Sequence, residues 1–254
     1  MWTAPALASE RRRIAGQAWR VVESQARIAT MKLVDNLDEQ ALLEAELERG
    51  KPTLPPACAG LHWLLATPFR YAPYPYGSRF RRARQRDGCL YAAERIETAI
   101  AEDAFYRLRF LLDAPGATQP ANPLERTAFS FRVQTEAAID LTQPPLDADR
   151  ALWTDPIDYA ACQTLADTAR AAGVSLLRYA SVRDPAAGAN WAVLDCAAFV
   201  PRQPDIRQIV QYQTWRYMLR PDRIEAVCEM PPAGLAFGYA GWAAVDRRIP
   251  ARVG

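Results

Sequence analysis

The sequence predicts an α+β fold, with a mixed sheet core flanked by helices. Short strand-like runs cluster between Thr127 and Glu229 with few helical stretches among them, which argues against regular βαβ alternation. There is no GxGxxG and no Walker loop, so a nucleotide bound here would not be held in Rossmann fashion. Half of the 254 residues are hydrophobic, enough for a sizeable core.

Taken in order, residues 1–16 are polar and basic and read as a frayed or helical lead-in. Val34 to Arg49 reads as an amphipathic helix, with Leu37, Ala41, Leu42 and Ala45 at helical spacing. Asp35 or Asn36 can cap it, and Gly50 and Pro52 stop it. Lys51 to Pro56 is a turn-rich connector. This divides the chain into a mainly helical N-terminal extension, 1–65, and a main domain, 66–254. Ala72 to Gly77 is an aromatic loop, because its prolines break any helix. Cys89 to Ala92 is a short strand and Ile96 to Tyr106 a helix that carries Glu102. Thr127 to Thr135 alternates, with Phe129, Phe131 and Val133 on one face, as a half-buried strand does. Asp158 to Ala172 is a helix ended by Gly173. Strands follow at Leu176 to Ala180, Trp191 to Leu194, Ile206 to Leu219 and Arg223 to Glu229.

Composition removes several function classes. The net charge of +2 gives no bulk electrostatic case for nucleic-acid or membrane binding. No apolar run approaches a membrane span, and the basic residues after Met1–Ser9 are in the wrong order for a secretory leader, so a cytoplasmic protein is expected. The five cysteines are odd in number and widely spaced without a CxxC pair. They read as buried thiols, not as a disulfide frame or zinc site. The single histidine, His62, lies in an apolar segment and reads as a partly buried structural residue. A His-rich metal site is excluded, no metal is expected, and chemistry must rest on Arg, Tyr, Glu and Ser.

Those residue types concentrate between Pro68 and Glu102. The stretch holds Arg70-Tyr71, Gly77-Ser78-Arg79-Phe80, Leu90-Tyr91 and, eleven residues on, Glu102. Guanidinium groups hold phosphates through charge-assisted hydrogen bonds. Tyrosine offers a flat face to a base or nicotinamide ring and a polar tip to a ribose. A lone carboxylate can stabilise an oxocarbenium ion, as in glycoside cleavage. Glu94 and Glu97 fall at the polar helix start, where acids simply favour the dipole. Together the set suits a dinucleotide with a scissile N-glycosidic bond.

The same stretch resembles the RES-domain family, the toxins of RES–Xre toxin–antitoxin pairs. Arg70-Tyr71 look like its early Arg-Tyr pair, with Arg20 a rival for the family arginine. Gly77-Ser78-Arg79-Phe80 is similar to its Gly-Arg-Trp, with a serine inserted and Phe for Trp. Leu90 to Ala93 and Thr98 to Glu102 match its LYxA and alanine-glutamate segment. Gly173 to Arg183 looks like the segment with the family serine, here Ser181. The rest of the basic run, Arg81 to Arg86, reads as a solvated loop. The resemblance implies an ADP-ribosyltransferase-like fold and an enzyme that consumes NAD as substrate, with no resident cofactor. It implies Arg70 and Arg79 on the diphosphate, Tyr71 and Tyr91 at the nicotinamide end, Ser181 reaching the ligand, and Glu102 as the stabilising carboxylate, with Arg70 and Tyr91 as catalytic partners. The acceptor would be water, inorganic phosphate or, in a transferase, a protein side chain. An Xre-type helix-turn-helix antitoxin is the implied partner, and a homo-oligomer is open. Ala160 stands where some members present a serine. That and the N-terminal extension leave open a non-catalytic interaction module.

Overall fold

The computed structural model describes residues 2–24, 33–71, 73–114, 116–200 and 208–252. Among them, nine strands form one mixed sheet: β1 (Arg12–Glu23), β2 (Leu90–Ala93), β3 (Leu124–Asp140), β4 (Leu176–Ala180), β5 (Ala189–Val193), β6 (Phe199–Val200), β7 (Ile209–Leu219), β8 (Arg223–Cys228) and β9 (Ala233–Gly238). The order β1-β2-β5-β4-β3 returns to β1 through a β1–β3 pairing, so five strands close on one another. From β3 the strands β7, β8 and β9 continue outward as an antiparallel meander. The fold is α+β, as the strand-rich sequence pattern predicts.

The long β3 organises this arrangement. Its alternating Phe129, Phe131 and Val133 are buried in one cluster with Trp191 and Phe199. Its other face carries buried Ala128, which packs with helix α4 (Ile96–Asp113). Apolar Ile100, Ala104, Phe105 and Leu108 recur at three- and four-residue spacing on α4 and press onto Trp215, Tyr217 and Trp242. Burying Phe105 or Leu108 contributes about 1.5–3 kcal/mol each. A third cluster joins α6 (Ala160–Ala171) to β4 through Leu165, Ala166, Leu177 and Tyr179.

The other α-helices among the described residues are α1 (Ala4–Ser9), α2 (Leu37–Arg49), α3 (Trp63–Arg70), α5 (Arg150–Trp153) and α7 (Tyr239–Val245). Helix α2 forms where expected, capped by Asn36, whose side chain accepts from the Glu39 N–H at 2.9 Å. Gly173, at φ +70°, follows α6 in the left-handed region that favours glycine. Helix α4 and β3 both run longer than the sequence pattern suggests. The expected start of the 206–219 strand, residues 206 and 207, lies outside the described residues, as does Ala72.

Three expectations are corrected. Residues 12–16 are not a helical lead-in: β1 pairs with β3 at positions from Arg12 to Glu23, so part of the stretch 1–65 is built into the sheet. Its arginines and glutamine hid the strand pattern. Cys58 and Cys196 form a disulfide, 138 residues apart in sequence, with their Cα atoms 5.6 Å apart. Such wide spacing left no pairing signal. Glu94 is not a solvated helix start. Arg178 donates to both its oxygens, at 2.6 and 3.0 Å, and Trp191 Nε1 donates at 2.8 Å. His62 is structural, as expected: it caps α3, its Nδ1 accepting from the Leu64 N–H at 3.2 Å. No helix among the described residues is long and apolar enough to cross a membrane.

Candidate active site

A cavity of about 350 Å³ opens between α4, β1 and the ends of β2, β4 and β5. Its volume lies within the range of small-molecule sites. Glu102 and Asp103 both reach it from α4. They differ in their partners. Arg126 clamps Asp103 from Nε at 2.9 Å and from Nη2 at 2.6 Å, which neutralises it. Glu102 instead accepts two neutral donors on one oxygen, Oε1: Ser181 Oγ at 2.6 Å and Asn190 Nδ2 at 2.6 Å.

The direction of the serine bond follows from its surroundings. Ser181 Oγ accepts the backbone N–H groups of Arg183 at 3.2 Å and Asp184 at 3.0 Å, so its own proton goes to Glu102. The turn that supplies those N–H groups is braced on α4, where Thr98 Oγ1 donates to Asp184 Oδ2 at 2.7 Å. Gly188 permits this contact, since a Cβ there would stand 2.1 Å from Thr98 Oγ1. Ser181 therefore positions Glu102 and is not among the residues lining the cavity. Asn190 is, placed there on β5 between Ala93 of β2 and Tyr179 of β4; no sequence motif flagged it.

The predicted residues divide sharply. Arg79, Tyr91 and Glu102 line one cavity. Arg70 and Tyr71 do not. Arg70 ends α3, donates from Nε to the Pro52 carbonyl at 2.6 Å and pairs with Glu48 on α2. Tyr71 is the C-cap beside it and is 37% exposed. Both lie on the connector side, outside the cavity lining, because α3 ends against the Glu48–Pro52 turn. Arg20, which ranked behind Arg70 on sequence distance, lies in the cavity wall on β1, with Nη1 donating to the Tyr91 carbonyl at 3.4 Å. The β1–β3 pairing brings it there, and sequence separation concealed it.

Tyr91 has a bracing role as well as a wall position. Its hydroxyl accepts the Phe80 N–H at 2.9 Å and shares a hydrogen bond with Ser78 Oγ at 2.8 Å. This fixes the Gly77–Phe80 turn that carries Arg79. Burial pushes the Tyr91 hydroxyl well above the usual phenol range, so it stays neutral. Arg79 is buried, donates to the Trp153 carbonyl at 2.8 Å and lies 4.6 Å from the centre of the Tyr159 ring.

Arg183 is a further cation that sequence reading passed over. It lines the cavity, stacks at 3.9 Å on Phe105 and faces Asp246 at 3.3 Å. Asp246 follows α7 and is also held by Arg248. Burial pushes the Asp246 carboxyl up, but its bonds to Arg248 and the charge of Arg183 outweigh that and leave it below the usual range. The wall thus combines three arginines, Arg20, Arg79 and Arg183, with tyrosines at 91, 106, 159 and 179 and one carboxylate free of ion pairs among the described residues, Glu102. Chemically this can hold an anion, enclose an aromatic ring and stabilise a developing positive charge.

The RES-domain family model matches residues 54–220. None of the curated proteins searched matches. Among solved structures, a chain of the M. tuberculosis MbcT–MbcA toxin–antitoxin complex is similar, at 11% identity and a TM-score of 0.49, over 82% of this chain and 89% of that one. Arg20 on β1 and Asp246 behind Arg183 both lie outside the matched residues.

Proposed function

Since the chain belongs to the RES-domain family, we propose that it consumes NAD in the cytoplasm by breaking the bond between nicotinamide and ribose, as the toxin of a toxin–antitoxin pair. The observation that carries this reading is Glu102: one oxygen saturated by Ser181 and Asn190, the other left for a ligand, in a cavity walled by arginine and tyrosine. Arg20, Arg79 and Arg183 supply positive charge for a diphosphate. The tyrosines supply faces for the nicotinamide ring.

As the C1′–N bond breaks, its electron pair passes to the ring nitrogen, and nicotinamide leaves neutral. Positive charge develops on C1′ and O4′, and the free Glu102 oxygen stabilises it. An oxygen of water or inorganic phosphate then bonds to C1′ and releases its proton to solvent. Neutral nicotinamide needs no acid to leave, which suits a site without histidine. The Xre-type helix-turn-helix antitoxin that the family resemblance implies would silence the toxin by covering this cavity.

Incubation of the purified chain with NAD, with and without phosphate, tests the reading by mass spectrometry. ADP-ribose marks hydrolysis, and ADP-ribose-1″-phosphate marks phosphorolysis. ADP-ribose attached to protein marks transfer. Undiminished NAD in both buffers overturns enzymatic cleavage and leaves an interaction module.

A further inference from the structure

We infer that Asp184 and Thr98 are a positioning pair for the reaction, which fixes the Glu102 carboxylate by way of Ser181. The inference rests on the reading of Glu102 as the carboxylate that stabilises the ribosyl cation. None of Asp184, Thr98 and Ser181 lines the cavity, so their effect on the reaction passes through Glu102. Thr98 and Glu102 stand four residues apart on α4 and share one face of it, a turn apart. Ser181 and Asp184 stand three apart in the turn that leaves β4. The two pairs meet as two cross-links of opposite direction. Ser181 Oγ donates from the turn to Glu102 Oε1 at 2.6 Å, and buried Thr98 Oγ1 donates from the helix to Asp184 Oδ2 at 2.7 Å.

Asp184 is the hub of that turn. Its Oδ1 accepts the Ala186 N–H at 2.9 Å, and its Oδ2 accepts the Gly188 N–H at 3.2 Å beside the Thr98 hydroxyl. The Gly188 carbonyl in turn accepts the Ser181 N–H at 2.7 Å. A hydroxyl has one proton and two acceptor lone pairs. The N–H groups of Arg183 and Asp184 take both lone pairs of Ser181 Oγ, which leaves its proton for Glu102. The conformation of residues 181–188 therefore decides where the serine proton points. The Asp184 carboxylate closes that conformation, and Thr98 registers it on α4 one turn from Glu102. A Cβ at Gly188 would stand 2.1 Å from Thr98 Oγ1 and 2.7 Å from Asp184 Oδ2, so the chain leaves this position bare where the pair meets.

The test uses the near-isosteric Thr98→Val and Asp184→Asn, the conservative Thr98→Ser, and Ser181→Ala alone and combined with each of the first two. NAD turnover is read at saturating substrate, affinity by calorimetry and folding by thermal melting. Thr98→Val and Asp184→Asn should each lose about ten- to a hundredfold in turnover, since misplacing a reacting group by about 1 Å costs up to about a hundredfold. Affinity for NAD should be unchanged, because the cavity wall is intact, and Thr98→Ser should restore turnover. Ser181→Ala should keep measurable turnover, as Asn190 still donates to Glu102. In that background neither variant should cost further turnover, though each should still lower the melting temperature, a separation that a purely structural link would not show. Should that background be too slow to read, the Thr98→Ser rescue and the split between turnover and affinity decide. Wild-type turnover in either folded variant, or the same fold-loss with and without Ser181, overturns this inference alone. Failure of both variants to fold makes the link a structural one and overturns it too. A wild type that leaves NAD uncleaved overturns both this inference and the enzymatic reading.

Discussion

Replacing Glu102 with glutamine removes one negative charge while keeping side-chain length and the α4 backbone. Ser181 and Asn190 both donate to Oε1, so the glutamine carbonyl will turn toward them and keep both bonds. Its NH2 group then occupies the place of Oε2, presenting a partial positive charge where the carboxylate presented a negative one. Each retained bond weakens from charge-assisted to neutral, a stability loss of about 1 kcal/mol per bond. The effect on rate is larger, because the charge acts where the ribosyl cation forms. Removing one electrostatic stabiliser of this kind costs about 10²–10³ in turnover, or about 2.7–4 kcal/mol in the barrier. NAD binding should persist, since the arginines that hold the diphosphate are untouched. The assay is NAD loss under saturating substrate, with affinity measured separately by calorimetry. Glu97→Gln serves as control, as the Glu97 side chain is half-exposed, does not line the cavity and pairs with Arg95. Full turnover in Glu102→Gln, or lost turnover in Glu97→Gln, would refute the assignment of the carboxylate.

Arg20→Ala should raise the dissociation constant for NAD by about ten- to a hundredfold, the loss of one charge-assisted contact, whereas Arg70→Ala should leave it unchanged; the reverse result in calorimetry would return the phosphate site to α3. Glu94→Gln should cost about 1–3 kcal/mol by breaking the part-buried pair with Arg178, read as a lower melting temperature with NAD affinity retained. Thiol titration of the unreduced protein should find Cys89, Cys162 and Cys228 silent in the native state, where all three are buried, and reactive in denaturant. Burial pushes the Cys89 thiol from 9.0 up to about 11. The neutral thiol is therefore the form the fold favours. Its contribution to stability is fully present below the unfolded value and is lost as pH rises towards about 11, which denaturant melts from pH 8 to 11 would follow, with Cys89→Ala flattening the decline.

Local signals account for much of what could be read in the chain. The Asn36 cap and Gly50 stop bound α2, Gly173 ends α6, and the alternation of Phe129, Phe131 and Val133 marks β3, because each depends on neighbours a few residues away. Glu102 stands out as a candidate, and lines the cavity, for a related reason. Its helix and the Leu90-Tyr91 strand are adjacent in sequence, so one motif spans both. The failures share a physical cause. Arg20 and Tyr91 are 71 residues apart and meet only because β1 pairs with β2 and β3. Arg70 lies near the motif in sequence, yet its guanidinium is held by the Pro52 carbonyl and Glu48, and Arg70 is not among the residues lining the cavity. Cys58 met Cys196, and Asp246 met Arg183, across comparably silent distances. The sequence by itself determined the α+β class, and it marked Glu102, among nearby arginines and tyrosines, as the candidate carboxylate. Only the tertiary structure decided which arginines face that carboxylate, and that Ser181 and Asn190 hold one of its oxygens so that the other stays open, because strand pairing between distant segments leaves no trace in local periodicity.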